Sequence, residues 1–185
     1  AINQALWDLN ARKQGKPLRQ LLNPAAADTV PAYGSGLNPS NCVEVTERSR
    51  AEGYRAFKLK VGFGADVDRR NLEALRAGMK PRERLFVDAN QCWSLAEARA
   101  AIPMLVDTSV EWFEEPMVAT TPIEQWKALA AECPVPLAGG ENILDKDGLE
   151  ACGDWFDYVQ PDIGKWGGVD GCLEIARKSV DAGKT

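Results

Sequence analysis

Three short apolar runs in this 185-residue chain each end on a carboxylate. Leu85-Phe86-Val87 leads to Asp88, Val110-Glu111-Trp112-Phe113 leads to Glu114, and Pro136-Leu137-Ala138-Gly139-Gly140 leads to Glu141. Asp88 and Glu114 lie 26 residues apart, Glu114 and Glu141 27 apart, with amphipathic, helix-periodic sequence between them. That is a βα rhythm with an acid at the C-terminal end of each strand. In a parallel α/β fold these ends lie side by side on one face, so acids remote in sequence meet in space. Three carboxylates gathered there repel one another unless a cation sits among them. Mg²⁺ suits the place, being a hard ion that takes oxygen ligands and leaves positions open for substrate. Any one of these acids alone would be an ordinary solvated charge; the regular spacing sets the three apart.

The same rhythm extends along the chain. Residues 1–22 carry an apolar stripe (Ile2, Ala5, Leu6, Leu9, then Leu18, Leu21, Leu22) at helical spacing, interrupted around Gly15-Lys16-Pro17. The pattern begins without an N-cap, which implies sequence upstream. Strands are predicted over 30–33, 56–61, 85–88, 111–114, 137–139 and 156–160. Residues 34–40 read as a loop. Helices are predicted from about 41 to 52, 67 to 79, 94 to 105, 122 to 131, 145 to 152 and 169 to 182. Ser94 with Glu97 forms a capping-box signal, Thr121 stands as a cap before Pro122, and Gly183 as a C-cap. The count is an entry helix and about six βα units, of the length a right-handed parallel crossover needs. A closed barrel needs eight. A doubly wound sheet can use six, but its usual glycine-rich phosphate turn is reduced here to Gly34-Ser35-Gly36.

Beside the three acids stand further groups that could carry chemistry. Lys58 and Lys60 are two apart in a strand, so they share a face. If that face is an interior, unpaired ammonium groups are costly; near carboxylates and a metal they suit a base and an electrophilic partner, and crowding by positive charge would lower a lysine's pKa. An edge strand with an exposed basic face is the plainer alternative. Of the adjacent Glu114 and Glu115 only one points inward; the spacing favours Glu114 and leaves Glu115 to support it. Asn90 and Asn142 closely follow their acids and could hold ligands by hydrogen bonds. Asp162 ends the sixth strand and could orient a base on a neighbouring one, while Lys165 could meet a ligand carboxylate or pair with Asp162. No histidine occurs in the chain, so a mechanism that needs imidazole cannot be completed by these residues. The net charge of −5 argues against nucleic acid or an anionic membrane as partner. Five widely spaced cysteines without a C-x-x-C pattern read as reduced thiols of a cytoplasmic protein rather than a zinc site.

Lys58-Leu59-Lys60, Val87-Asp88-Ala89-Asn90, Trp112-Phe113-Glu114-Glu115-Pro116, Gly140-Glu141-Asn142 and Pro161-Asp162 with Lys165-Trp166-Gly167-Gly168 together resemble the enolase superfamily, and within it the mandelate racemase/muconate-lactonizing group. The opening Ala5-Leu6-Trp7-Asp8-Leu9 is similar to that group's entry into its barrel. The resemblance spans essentially the whole chain. It implies a TIM (β/α) barrel, here incomplete: a single barrel domain over 1–185, truncated at both ends, without the capping domain and the last strands. It implies Mg²⁺ on Asp88, Glu114 and Glu141, Lys60 as the base that removes a proton α to a substrate carboxylate, and Lys58 against that carboxylate. The product of this step is an enediolate. Asp162 falls where the mandelate-racemase type places an acid paired with a histidine one strand later. Acid-sugar dehydration is the expected outcome, with racemisation, epimerisation or lactone cycloisomerisation as alternatives, and an inactive metal-binding or structural remnant as an alternative of another kind. The expected partner is a small sugar-acid carboxylate, in a homo-oligomer.

Overall fold

A computed structural model describes residues 1–185. Six strands, β1 (Gly34–Leu37), β2 (Ala56–Lys60), β3 (Arg84–Asp88), β4 (Trp112–Glu114), β5 (Leu137–Gly139) and β6 (Tyr158–Val159), form one sheet in the order of the sequence. Every neighbouring pair is parallel. Sequential parallel order with a helix after each strand is the winding of a barrel, since a doubly wound sheet reverses its order at a switch point. The sheet does not close, so it is part of a barrel. The chain's last residue already pairs with β6: Thr185 N–H donates to Asp157 O at 3.0 Å and Val159 N–H donates to Thr185 O at 2.9 Å.

Helices α1 (Ile2–Gln14), α2 (Leu18–Leu22), α3 (Cys42–Ala51), α4 (Ala65–Gly78), α5 (Leu95–Asp107), α6 (Ile123–Glu132), α7 (Lys146–Ala151) and α8 (Gly168–Asp181) complete the fold. The capping box at α5 is formed, with Ser94 Oγ accepting from Glu97 N–H and the Glu97 carboxylate accepting from Ser94 N–H. At α6 the expected Thr121 cap is absent: Pro122 occupies the cap position and no side chain caps the helix.

Strand alternation sorts the side chains. Phe57, Leu59, Leu85, Val87, Phe113 and Leu137 face outward into the helices and are essentially inaccessible. Each buried side chain of this size contributes about 1.5–3 kcal/mol. The opposite face holds Phe86 stacked on Trp112 with centroids 3.9 Å apart, Tyr33 edge-on to both, and Ala138. Lys58 lies beside Phe86 on that inner face, and Asp88 and Glu114 lie one step closer to the strands' C-terminal ends.

Two further expectations need correction. The first strand is at Gly34–Leu37, not 30–33. Val30 is exposed, while Gly34 packs where an added Cβ would lie 3.3 Å from the Ser49 side chain on α3. Close approach of α3 therefore selects the glycine-rich segment over the β-branched one. The apolar stripe of α1 is also not packed as its spacing suggests: Ile2, Leu6 and Leu9 are exposed. Polar bonds instead tie α1 to α8, from Asn3 Nδ2 to Asp170 at 2.6 Å and from Trp7 Nε1 to Asp170 at 3.0 Å.

Candidate active site

The ends of β2, β3 and β4 are in register, with Lys58 beside Phe86, Lys60 beside Asp88 and Asp88 beside Glu114. Register and inward parity bring four charged side chains together. Lys58 Nζ bonds Glu114 Oε1 at 2.5 Å and lies 3.1 Å from Asp88 Oδ2. Lys60 Nζ bonds the same Asp88 oxygen and Asn90 Oδ1, each at 2.5 Å. Lys58, Asp88 and Glu114 are buried, and Lys60 is partly exposed. Two lysines on one strand face thus meet two carboxylates, and the alternative of an exposed basic edge is excluded.

Burial opposes charge on Lys58, yet the attraction of Glu114, with its hydrogen bond, and of Asp88 holds the ammonium well above the ordinary lysine value. The expected lowering of a lysine pKa is therefore corrected for Lys58, because carboxylates surround it more closely than Lys60 does. Burial and the Asp88 charge push the Glu114 carboxyl up, against the pull of Lys58. Asp88 is also desolvated, but bonding to Lys60, the charge of Lys58 and the Asn90 N–H keep it below the usual carboxylate range.

Glu115 does not point to solvent. It is buried, adopts φ 39°, and both its oxygens accept from Asn142 Nδ2, at 3.0 and 2.8 Å. Burial first, then the charges of Glu141, Asp88 and Glu114, raise its pKa to about 7, against the Asn142 bonds. A positive φ at a non-glycine residue costs of order 1–3 kcal/mol and is held by its surroundings; here Gln91 N–H donates to Glu115 O at 2.7 Å.

Glu141 follows β5 through Gly140, whose φ of 127° disfavours any side chain and where a Cβ would stand 3.2 Å from the Gln160 backbone. Its carboxylate faces Lys165 Nζ at 3.3 Å, and Lys165 also bonds Asn142 Oδ1 at 3.0 Å. Asp162 Oδ1 accepts from the N–H groups of Gly164 and Lys165, so it shapes the loop before α8; its other oxygen is 4.0 Å from Lys165. Glu141, Asp162, Lys58 and Glu114 border one cleft of about 410 Å³.

Three contributors were missed from sequence. Tyr33 places its ring 5.4 Å from Lys58 Nζ, and Gln160 donates to Glu114 Oε2 at 3.1 Å. Gln91 Oε1 accepts from Ala119 N–H at 2.8 Å and ties two loops together. None carries a charge or sits at the spacing of the acids. The only available signal was that Gln160 precedes Asp162 by two residues and so shares strand parity with Tyr158.

The donors fit a divalent cation in chemistry. Asp88 and Glu114 supply hard carboxylate oxygens, and an ammonium bonded to both marks a position that takes positive charge. The expected three-acid cluster is nonetheless realised as a pair bridged by Lys58. Glu141 turns to Lys165, and no group of three or more such side chains is gathered to hold a metal.

Residues 41–184 match the family described as enolase C-terminal domain-like. The chain is a member of the enolase superfamily. Its relatives lie in the mandelate racemase/muconate-lactonizing group. This superfamily member is 32% identical to the D-galactarolactone cycloisomerase of Agrobacterium fabrum, over 95% of its own length and 48% of that protein. A crystal structure of a mandelate racemase/muconate lactonizing enzyme from Bordetella bronchiseptica superposes with a TM-score of 0.92 at 44% identity, covering 97% of this chain and 50% of that one. The L-talarate/galactarate dehydratase of Salmonella typhimurium, liganded with Mg and L-lyxarohydroxamate, superposes with a TM-score of 0.90 at 32% identity, covering 99% of this chain and 48% of that one. The chain spans about half the length of the curated relatives it matches. No helix is long and apolar enough to cross a membrane.

Proposed function

We propose that this superfamily member belongs to an enzyme that removes the proton α to a carboxylate of an acid sugar and then eliminates water. The observation that carries the reading is the meeting of Lys58 and Lys60 with Asp88 and Glu114 at three adjacent strand ends. Asp88, Glu114 and Glu141 are the residues that would hold Mg²⁺, Glu141 by turning from Lys165 into the cleft it already borders. When bound, the ion would supply Lewis acidity for negative charge developing on the substrate carboxylate.

The chain's own groups divide the remaining work. Lys60 Nζ, held between Asp88 and Asn90, would accept the α-proton. Lys58 keeps its charge among carboxylates and would face the substrate carboxylate, stabilising the enediolate. Asp162, at the rim of the cleft, would orient a base carried outside residues 1–185. The proton taken up by Lys60 would leave with the β-hydroxyl as water, which completes the dehydration and restores the base. Epimerisation and lactone cycloisomerisation use the same first step, and the likeness to a galactarolactone cycloisomerase keeps the latter as the second reading.

The test is α-proton exchange with D₂O on a panel of sugar acids, using the whole enzyme that contains this chain. Lys60→Met should abolish exchange while calorimetric Mg²⁺ binding persists. Exchange that continues unchanged removes Lys60 from the role. A wild-type protein that shows no metal-dependent binding of any sugar acid is what a structural remnant predicts.

A further inference from the structure

Gln160 lies just beyond β6, near the open edge of the sheet, and carries neither charge nor known chemistry. Its backbone is fixed by donation from its N–H to Gly139 O at 2.8 Å, which continues the β5–β6 ladder. Its amide reaches the inner face and donates from Nε2 to Glu114 Oε2 at 3.1 Å. Only the NH₂ end of the amide can donate to a carboxylate, so this bond fixes which way the group is turned. The consequence falls on the other end. Gln160 Oε1 is buried with no hydrogen-bond partner. A buried acceptor without a donor opposes folding, and a side chain that merely filled this space could do so without stranding an oxygen.

We propose that Gln160 is a positioning residue for Glu114. Two oxygens of Glu114 have two different donors: Lys58 on Oε1 and Gln160 on Oε2. Lys58 comes from β2 and is the group a metal ion would displace from between the two acids. Gln160 comes from the other flank of the sheet and remains in place when that happens. It therefore keeps the Glu114 carboxylate plane turned toward the cleft, in the way hydrogen-bonded partners orient metal-binding carboxylates generally. The inference rests on reading Glu114 as a Mg²⁺ ligand.

Gln160→Met keeps length and volume and removes both amide ends. Titration calorimetry with MgCl₂ and thermal melts in chelator are run side by side on the whole enzyme that contains this chain and on its variant. The expected result is a cooperative melt in chelator with Mg²⁺ affinity reduced about 10- to 100-fold. Gln160→Asn, which retains the amide but withdraws it by one methylene, should show the same loss and serves where the methionine variant does not fold. A lowered melting temperature with undiminished Mg²⁺ affinity in a folded variant overturns the proposal and leaves a packing role. If the unsubstituted whole enzyme binds no Mg²⁺, the reading of Glu114 as a ligand fails and this inference falls with it.

Discussion

The carboxylates at the ends of β3 and β4 and those following β5 and β6 hold corresponding places in one sheet, yet their surroundings differ. The side chains of Asp88 and Glu114 are each 2% exposed and in hydrogen-bond contact with lysine. Those of Glu141 and Asp162 are 39% and 35% exposed, and their ion pairs with Lys165 are longer, at 3.3 and 4.0 Å. Asp88 and Glu114 are the last residues of β3 and β4 and stand on the inner face of the sheet, whereas Glu141 and Asp162 lie in the loops that follow β5 and β6. The same residue type is therefore an energetic commitment at one end of the sheet and an adaptable group at the other.

The largest expected effect breaks the buried half of this comparison. Lys58→Met leaves Asp88 and Glu114 desolvated without the ammonium that bridges them, and removal of one member of such a buried pair costs about 3–5 kcal/mol. Urea unfolding in chelator should show that loss, and Mg²⁺ should restore part of it. Stability near wild type in chelator would mean that the two carboxylates are not held charged by Lys58.

An intermediate effect is the pH dependence set by Glu115. Its pKa is about 7 in the folded chain, against about 4.3 for an unperturbed glutamate. The folded state holds this proton more tightly, so the stability it contributes is complete below about pH 4 and is lost as pH rises through about 7. Glu114, also raised, acts with the same sign, whereas Asp88, which is depressed, contributes stability that is lost only as pH falls below its own range. Melting temperature in chelator should therefore decline between about pH 5 and 8, and Glu115→Gln should flatten that decline. An unchanged slope would place the titration elsewhere.

The smallest effect tests the open half. Lys165→Ala removes a half-exposed cation from Glu141 and Asp162, and exposed pairs are worth about 0–1 kcal/mol. Denaturant midpoints should barely move, and Mg²⁺ affinity should hold or rise, since Glu141 is released toward the cleft. A destabilisation comparable to that of Lys58→Met would erase the distinction between the two ends of the sheet.

Much of this was legible in the sequence, for identifiable reasons. Period-2 and period-3.6 patterns and the spacing of Asp88, Glu114 and Glu141 are local properties, and they located five of the six strands and all the helices within a few residues. Strand parity alone put Lys58 and Lys60 on one face. What spacing could not carry was partnership. Tertiary packing placed the first strand at Gly34–Leu37, where α3 comes so close that a Cβ on Gly34 would stand 3.3 Å from the Ser49 side chain. It also buried Glu115 beside Glu114 through a backbone turn at φ 39°, where strand alternation had allowed only one of them inward. It set Lys58 between two acids expected to share a metal, and it brought Gln160 to Glu114 from 46 positions away in the chain. Periodicity along a chain decides which face a residue occupies. Which charges then face each other depends on register between strands and on how much water the packing excludes, and those are properties of the assembled sheet.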